Sequence, residues 1–158
     1  MCKYPVSFRT EVTQAFQFLV DQRGLDGPSY SELLLPAVRY RGAGLTISIY
    51  FHDDTRDGAG KRISVSISLE TANGSAKAEL DELVEAAVFA PRHRVDWKAH
   101  TADAMRSTLD DDAKWVRRPM PILQAPDALD TIRNANRHET DKAGNTKRRP
   151  RNIKWKYN

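Results

Sequence analysis

The sequence predicts an α+β fold in which a helix, a three-stranded antiparallel β-meander and a second helix come first, followed by a helical C-terminal extension and a basic tail. Three observations predict this class. Apolar and polar residues alternate over residues 38–69, apolar residues recur at helical spacing on both sides of that stretch, and the connections inside it contain glycine. The two flanking helices are expected to cover the apolar face of the sheet.

The first predicted element is an amphipathic helix with Ser7 as its N-cap. Apolar residues recur at helical spacing over residues 8–19, and Gly24 suits the C-cap because glycine tolerates left-handed geometry. Residues 26–29 are predicted to form a linker. Pro36 favours the start or the edge of a strand, because proline has no backbone N–H for a ladder.

Three strands follow, each with an apolar row and a hydroxyl-rich row. The apolar rows are predicted to face the core and the hydroxyl-rich rows to face water. The apolar rows consist of Val38, Tyr40, Leu45, Ile47, Ile49, Phe51, Ile63, Val65, Ile67 and Leu69. An aspartate in place of Ile49 should therefore cost far more stability than one in place of Ser66, which lies on the opposite row.

The remaining predicted elements are helices. The second helix starts at Leu80 and stops before Pro91, the third follows the N-cap Thr101 and ends before Pro119, and a short fourth helix covers about residues 127–137. The charged residues assigned to the solvated face of the second helix are Lys77, Glu79, Asp81, Glu82 and Glu85.

The charge of the chain is concentrated at its C-terminal end. The 158 residues carry a net charge of +4, yet residues 142–158 hold 7 of the 25 basic residues and none of the 21 acidic ones. The other 141 residues, with 18 basic and 21 acidic groups, therefore have a net charge of −3. We predict one α+β domain over residues 1–141 and a basic interaction segment over residues 142–158.

Composition limits the class of protein. The hydrophobic fraction is 40% and the charged fraction 29%, as in soluble globular proteins, and no run of about 18 apolar residues could cross a bilayer. The N-terminal residues lack the apolar core of a secretory signal, and the single Cys2 cannot form an internal disulfide. The sequence thus predicts a cytoplasmic protein with no membrane partner.

Two stretches of the sequence resemble metal-binding sites, but neither has a complete set of ligands. Residues 53–58 imitate the start of a calcium-binding loop, but Ser64 stands where the closing glutamate is needed. His52 beside Asp53 and Asp54 could ligate a metal, yet adjacent side chains on a strand diverge and no second histidine is near in sequence. We therefore predict no catalytic residue, no cofactor and no metal site, and favour a non-enzymatic protein.

The candidate contacts with a partner are cations and aromatic rings. Arg39 and Arg41 lie on the hydroxyl-rich face of the first strand, and the tail combines phosphate-pairing cations with rings that could stack on bases. The tail residues are Lys147, Arg148, Arg149, Arg151, Lys154, Trp155, Lys156 and Tyr157. Ile153, Trp155 and Tyr157 also alternate with lysines, which predicts a C-terminal strand that joins an edge of the sheet or a partner.

The first half of the chain resembles a group of small uncharacterised bacterial proteins. The resemblance covers roughly residues 6–90 and rests on the order of five segments. These segments are residues 8–20 with Ala-Phe-Gln-Phe-Leu-Val, Val38-Arg39-Tyr40-Arg41, Ile47-Ser48-Ile49-Tyr50, Val65-Ser66-Ile67 and Glu79-Leu80-Asp81-Glu82-Leu83. Proteins of this group are encoded near polymorphic toxin systems, and many are proposed immunity proteins. The resemblance implies a protein that neutralises a cognate toxin.

These observations together predict a non-enzymatic protein that binds a macromolecule. A protein partner, as for an immunity or antitoxin-like protein, is the first expectation. Nucleic acid bound through the basic tail and through Arg39 and Arg41 is the alternative. An exposed sheet edge would also allow a homodimer.

Overall fold

The computed structural model describes residues 6–58, 60–87, 98–135, 138–140 and 146–148. It confirms the α+β class with an antiparallel sheet. The predicted three-stranded meander is wrong, because the main sheet has five strands that follow one another in chain order and are all antiparallel. The strands are β1 (Asp26–Ser31), β2 (Ala37–Gly42), β3 (Leu45–Asp54), β4 (Gly60–Thr71) and β5 (Gly74–Glu79).

The two strands that the sequence did not predict are the edges of the sheet. β1 occupies the predicted linker, contains Pro28 and leaves most of its residues exposed. β5 holds Lys77 and Glu79, which were predicted to lie on the second helix, and its inward residues are alanines. An edge strand buries little apolar area, so neither shows the strong alternation that identifies β2, β3 and β4.

Six α-helices accompany the sheet in the described part of the chain, and a 3₁₀ helix (Thr55–Asp57) connects β3 to β4. The α-helices are α1 (Val6–Ala15), α2 (Phe18–Asp21), α3 (Leu80–Ala86), α4 (Ala102–Arg117), α5 (Met120–Leu123) and α6 (Ala128–Ala135). The first predicted helix is thus two helices. The predicted cap of α4 is confirmed, since Thr101 Oγ1 accepts a hydrogen bond from Ala104 N at 3.0 Å. A short hairpin of β6 (His138–Thr140) and β7 (Thr146–Arg148) comes last.

The solvated face predicted for the second helix is wrong at Glu82. This side chain is buried, and its Oε2 accepts a hydrogen bond from Glu79 N at 3.2 Å. That bond satisfies a backbone donor at the start of α3, which is the arrangement of a capping box.

The core lies between the apolar face of the sheet and the helices. The Phe8 ring of α1 lies 5.5 Å from the Phe51 ring of β3, and α6 packs on β4 and β5. Arg106 of α4 donates to both carboxylate oxygens of Glu11, at 3.0 and 2.9 Å, and so joins α4 to α1. We call the opposite face, formed by the side chains of β2–β5 that point away from these helices, the outer face.

Tyr40 places a hydroxyl in this core that finds no hydrogen-bond partner among the described residues. Its side chain is fully buried and packs against the Phe16 ring at 6.4 Å. Burial raises the pKa of the Tyr40 phenol. We expect Tyr40→Phe to increase the free energy of unfolding by about 1 kcal/mol, because it removes a desolvated donor and keeps the ring. Urea unfolding would measure this.

Tyr30→Phe is the matched control for that substitution. The Tyr30 hydroxyl lies 3.3 Å from Thr13 Oγ1, so its removal breaks a hydrogen bond. We expect a loss of up to about 1 kcal/mol. If Tyr40→Phe were the more destabilising of the two, the Tyr40 hydroxyl would have a partner.

Some predictions fall on parts of the chain that the structure does not describe. The predicted C-terminal strand at Ile153, Trp155 and Tyr157 lies outside the described residues, as does the end of the predicted fourth helix beyond Ala135. Among the residues that are described, none of the helices is both long and apolar enough to cross a membrane.

Candidate functional site

Two rows of polar side chains cross the outer face from β2 to β5. Strand register places Arg39, Ser48, Ser66 and Glu79 in the first row. In the second row the same register places Arg41, Thr46, Ser68 and Lys77 side by side. Each row therefore starts with an arginine on β2, crosses two hydroxyls on β3 and β4, and ends with a charged group on β5.

The hydroxyls form the floor of a trough between these charges. Ser48 and Ser66 are only 6% and 4% exposed, although they point away from the core. Longer side chains on either side cover these two serines. The row that was predicted to face water therefore has little contact with solvent at its centre. The resulting concavity has a volume of about 780 Å³, and the described residues that line it belong to the main sheet, Asp26 of β1 included, and to the β2–β3 turn. We call it the outer trough.

Arg39 and Arg41 form the β2 wall of the outer trough, as the sequence predicted for their shared face. The Arg39 guanidinium lies 5.9 Å from the centre of the Tyr50 ring, a cation–π distance. Within the described part of the chain, neither guanidinium forms an ion pair with a carboxylate. Asp26 of β1 stands opposite Arg41 in the strand register and also lines the trough. Arginine side chains in such a position are suited to bind carboxylate or phosphate oxygens.

Glu79 stands at the other end of the first row. Burial raises the pKa of its carboxyl; Glu82 and Asp81 act in the same direction, while Lys77 and the hydrogen bond with Ser66 lower it. The folded chain therefore holds a proton on Glu79 more readily than the unfolded chain does. The stability linked to this group is present at low pH and is lost as the pH rises through the pKa of the folded state.

We expect Glu79→Gln to remove this pH dependence. The amide keeps the shape of the protonated acid, so the variant should gain stability relative to the wild type between about pH 4 and pH 7. Urea unfolding at both pH values gives the difference. The exposed Glu70 lies on the same face, and Glu70→Gln is the matched control for loss of one negative charge. An equal stability difference at both pH values would contradict a raised pKa at Glu79.

His52 and Ser64 form a cross-strand hydrogen bond beside the trough. His52 Nε2 lies 2.8 Å from Ser64 Oγ, a distance that also fits a base and its nucleophile. A triad needs a carboxylate that orients the imidazole, but Asp54 Oδ2 accepts from Arg62 Nε at 2.9 Å. Burial and the Arg62 charge lower the pKa of His52, and Asp54 opposes them. The hydrogen bond holds the His52 ring and the Ser64 hydroxyl in place on the sheet. It does not indicate a reaction.

His52, Asp53 and Asp54, the residues of the possible metal site, do not come together as a set of ligands. The Asp53 side chain accepts a hydrogen bond from the Thr55 hydroxyl, within its own loop. Among the described residues, no three His, Cys, Asp or Glu side chains come close enough to hold a metal ion.

The predicted tail contacts lie largely beyond what the structure describes. Lys147 and Arg148 are residues of β7. The others are Arg149, Arg151, Lys154, Trp155, Lys156 and Tyr157. Among the described residues, the structure places Arg39 and Arg41 together on the main sheet and Lys147 and Arg148 together on β7.

The described surface has two other notable features, the first of which shares Gly42, Ala43 and Leu45 with the trough. At the turn end of β2 and β3, a concavity of about 560 Å³ reaches the core leucines Leu25 and Leu45. At the opposite end of these strands, the connection between β1 and β2 exposes Leu33 and Leu34 almost completely, at 93% and 97%. The charged residues that line the concavity are Arg23, Asp127, Asp130 and Arg133.

The β5 wall of the trough was not predicted from the sequence. Ser75, Lys77 and Glu79 alternate with Ala76 and Ala78, which is a strand pattern with small apolar residues. That alternation could have revealed β5, and with it the place of Lys77 and Glu79 beside β4.

Comparison with known proteins adds no assignment to this geometry. No family model matches the chain, and neither a curated protein nor a solved structure shows significant similarity to it.

Proposed function

We propose that this chain is a non-enzymatic binding protein that receives a macromolecular partner on its outer face. The observation that carries the proposal is the outer trough, where neither Arg39 nor Arg41 forms an ion pair with any residue that the structure describes and where Ser48 and Ser66 of the floor are nearly buried. Two arginines held side by side on one strand favour binding, because a partner that supplies carboxylates can form charge-assisted hydrogen bonds with both.

The proposed partner is a protein. The body of the chain, residues 1–141, has a net charge of −3, which does not favour a polyanion, and the trough carries acids as well as bases. The resemblance to immunity proteins supports a finer proposal, in which the bound partner is a toxin that the chain neutralises. A cytoplasmic location is part of this proposal.

Affinity capture from a lysate of the native cells tests the proposal. The variant Arg39→Glu with Arg41→Glu reverses both unpaired cations, and we expect it to retain the partner about tenfold less well than the wild type. The matched control is Lys114→Glu with Arg118→Glu, which makes the same charge change at exposed positions of the helical layer. Capture that is unchanged in the first variant, or equally reduced in both, would contradict the proposal.

Nucleic acid is the second candidate partner. It is favoured by Arg39 and Arg41 lying on the same face as the Tyr50 and His52 rings, whose centres are 6.4 Å apart. Affinity for a single-stranded oligonucleotide should then fall with salt, with a log–log slope of about −0.7 for each phosphate contact. A chain truncated after Asp141 that keeps all of this affinity would exclude the basic tail as the binding element.

A further inference from the structure

The connection between β1 and β2 presents two leucines on a loop whose base is held in place. The two strands pair up to the last residue of β1 and the first residue of β2. Pro36 is buried, and its carbonyl oxygen accepts a hydrogen bond from Phe51 N of β3 at 3.0 Å. Leu33 and Leu34 project from this base and are almost fully exposed. We call these two side chains the leucine tip.

The concavity at the opposite end of these strands is held open by hydrogen bonds between the segments that form it. The segment before β1 joins the connection between α5 and α6, because Gln124 Nε2 donates to Arg23 O at 3.1 Å. The β4–β5 turn joins α6, because Arg133 Nη2 donates to Asn73 O at 3.4 Å. The volume of about 560 Å³ lies within the range of about 300–1,000 Å³ that is typical of binding sites. We call it the turn-end concavity.

The lining of the turn-end concavity combines apolar side chains with balanced charges. It reaches core leucines, among them Leu25 and Leu45, and the exposed Ala43 and Pro126 add apolar surface at its mouth. The charged residues that line it are two arginines and two aspartates, so their net charge is zero. Such a lining gives no preference to a polyanion or a polycation. Apolar groups surrounded by polar ones are the usual composition of a protein interface.

The leucine tip and the turn-end concavity can meet only between two molecules. β2 runs from Ala37, next to the tip, to Gly42, which lines the concavity. The length of this strand, about 17 Å, therefore separates the two features within one molecule. The tip and the concavity are different surfaces, so a contact between them is heterologous. Each added copy leaves one tip and one concavity free, and the assembly does not close at two copies.

The charges beside the tip also suit the rim of the concavity. Glu32 directly precedes the leucines, and its carboxylate pairs with Arg9 Nη2 at 3.2 Å on the surface. Arg23 of the rim forms no ion pair with a residue that the structure describes, so it can accept a carboxylate that arrives with the tip. A contact of tip against tip would instead join two projecting loops, which cover little of each other, and would bring two Glu32 side chains together.

We infer that the turn-end concavity takes the leucine tip of a second copy of this chain. The contact joins molecules head to tail along the direction of the strands. This inference goes beyond the proposed function, because it concerns a contact between copies and not a foreign partner. One copy contributes only two apolar side chains, so the contact is weak and should form at protein concentrations of about 0.1–1 mM.

Two complementary variants of the full chain test the inference. Leu33→Asp with Leu34→Asp removes the tip and leaves the concavity. Ala43→Glu with Pro126→Glu blocks the mouth of the concavity and leaves the tip. All four positions are exposed, so both variants should fold, and urea unfolding checks that they do. Sedimentation velocity measures the association of each variant, of their mixture and of the wild type.

The control is Gln14→Glu with Ser107→Glu, which adds the same two negative charges at exposed positions of α1 and α4. The wild type and the control should sediment faster as the concentration rises from about 10 μM to about 1 mM, whereas each complementary variant alone should associate at least about tenfold more weakly. An equimolar mixture of the two variants should form a 1:1 dimer and nothing larger, because each pair retains one tip and one concavity.

Four results would overturn the inference. The first is a wild type that stays monomeric at about 1 mM. The second is undiminished association of either complementary variant alone, which for the blocked concavity would indicate a contact of tip against tip. The third is a mixture that does not associate although the wild type does, because the tip and the concavity would then not be partners. The fourth is an equal loss in the control, which would indicate general charge repulsion.

Discussion

Replacing Ile49 by Asp is expected to remove most of the stability of the fold. Ile49 is fully buried at the centre of β3, between Val38 of β2 and Val65 of β4. A carboxylate there has no partner and must be either desolvated or protonated, at a cost of at least about 4 kcal/mol. Small domains are stable by only about 5–15 kcal/mol, so thermal and urea unfolding should show a variant that is barely folded or unfolded.

Two further substitutions serve as references for the stability loss of Ile49→Asp. Ile49→Val keeps the site apolar and should cost about 0.5–1.5 kcal/mol, which confirms that the wild-type fold tolerates a conservative change. Ser68→Asp places the same carboxylate on the outer face beside Lys77 and should alter stability by less than about 1 kcal/mol. If Ile49→Asp and Ser68→Asp had equal effects, the assignment of the two faces would be wrong.

The structure changes the expectation for Ser66→Asp. The sequence pattern predicted a mild effect at this position, because the residue belongs to the hydroxyl-rich row. Ser66 is nearly buried and hydrogen-bonded to Glu79, so a second carboxylate there would meet like charge with little solvent. We now expect its cost to lie between those of Ser68→Asp and Ile49→Asp.

Gly44→Ala is the second substitution with a large expected effect. Gly44 and Ala43 form the two-residue turn between β2 and β3, and both have positive φ, +80° and +50°. A methyl group on Gly44 would overlap the carbonyl oxygen of Glu70, whose N–H donates to Gly44 O at 3.0 Å. Backbone strain and this overlap together should cost about 2–4 kcal/mol, measured by urea unfolding.

Ala43→Gly is the matched control in the same turn. Ala43 is exposed and already holds a conformation that glycine adopts more readily. Relief of that strain opposes the greater freedom of glycine in the unfolded chain, so we expect a stabilising change of less than about 1 kcal/mol. A loss at Ala43 as large as that at Gly44 would show that the turn, and not the contact with Glu70, limits both positions.

The sequence predicted the centre of the fold better than its margins. The apolar rows of β2, β3 and β4 predicted which face of each strand is buried and that the three strands form hairpins. They did so because central strands bury large side chains at every second position. β1 and β5 are bounded by one neighbour each and bury little, so Pro28 and the alanines of β5 gave no comparable pattern. The break between α1 and α2 was missed because apolar spacing continues through it.

Only the part of the candidate site that lies on a single strand could be predicted from the sequence. The two-residue spacing of Arg39 and Arg41 placed both on one face, as observed. The burial of Ser66, its hydrogen bond with Glu79 and the contact of His52 with Ser64 depend on which residues of neighbouring strands stand opposite each other. That register follows from tertiary pairing and cannot be derived from the order of residues within one segment.

The leucines between β1 and β2 are exposed in the isolated chain, so the hydrophobic free energy of burying them is not gained on folding. Burying a leucine side chain is worth about 1.5–3 kcal/mol, and Leu33 and Leu34 leave almost all of it unrealised. A molecule that covered both would gain a factor of roughly 10²–10⁴ in affinity from these two side chains, before other costs of association. Among the described residues, these two side chains are the most exposed large apolar groups, and in concentrated solution they favour self-association.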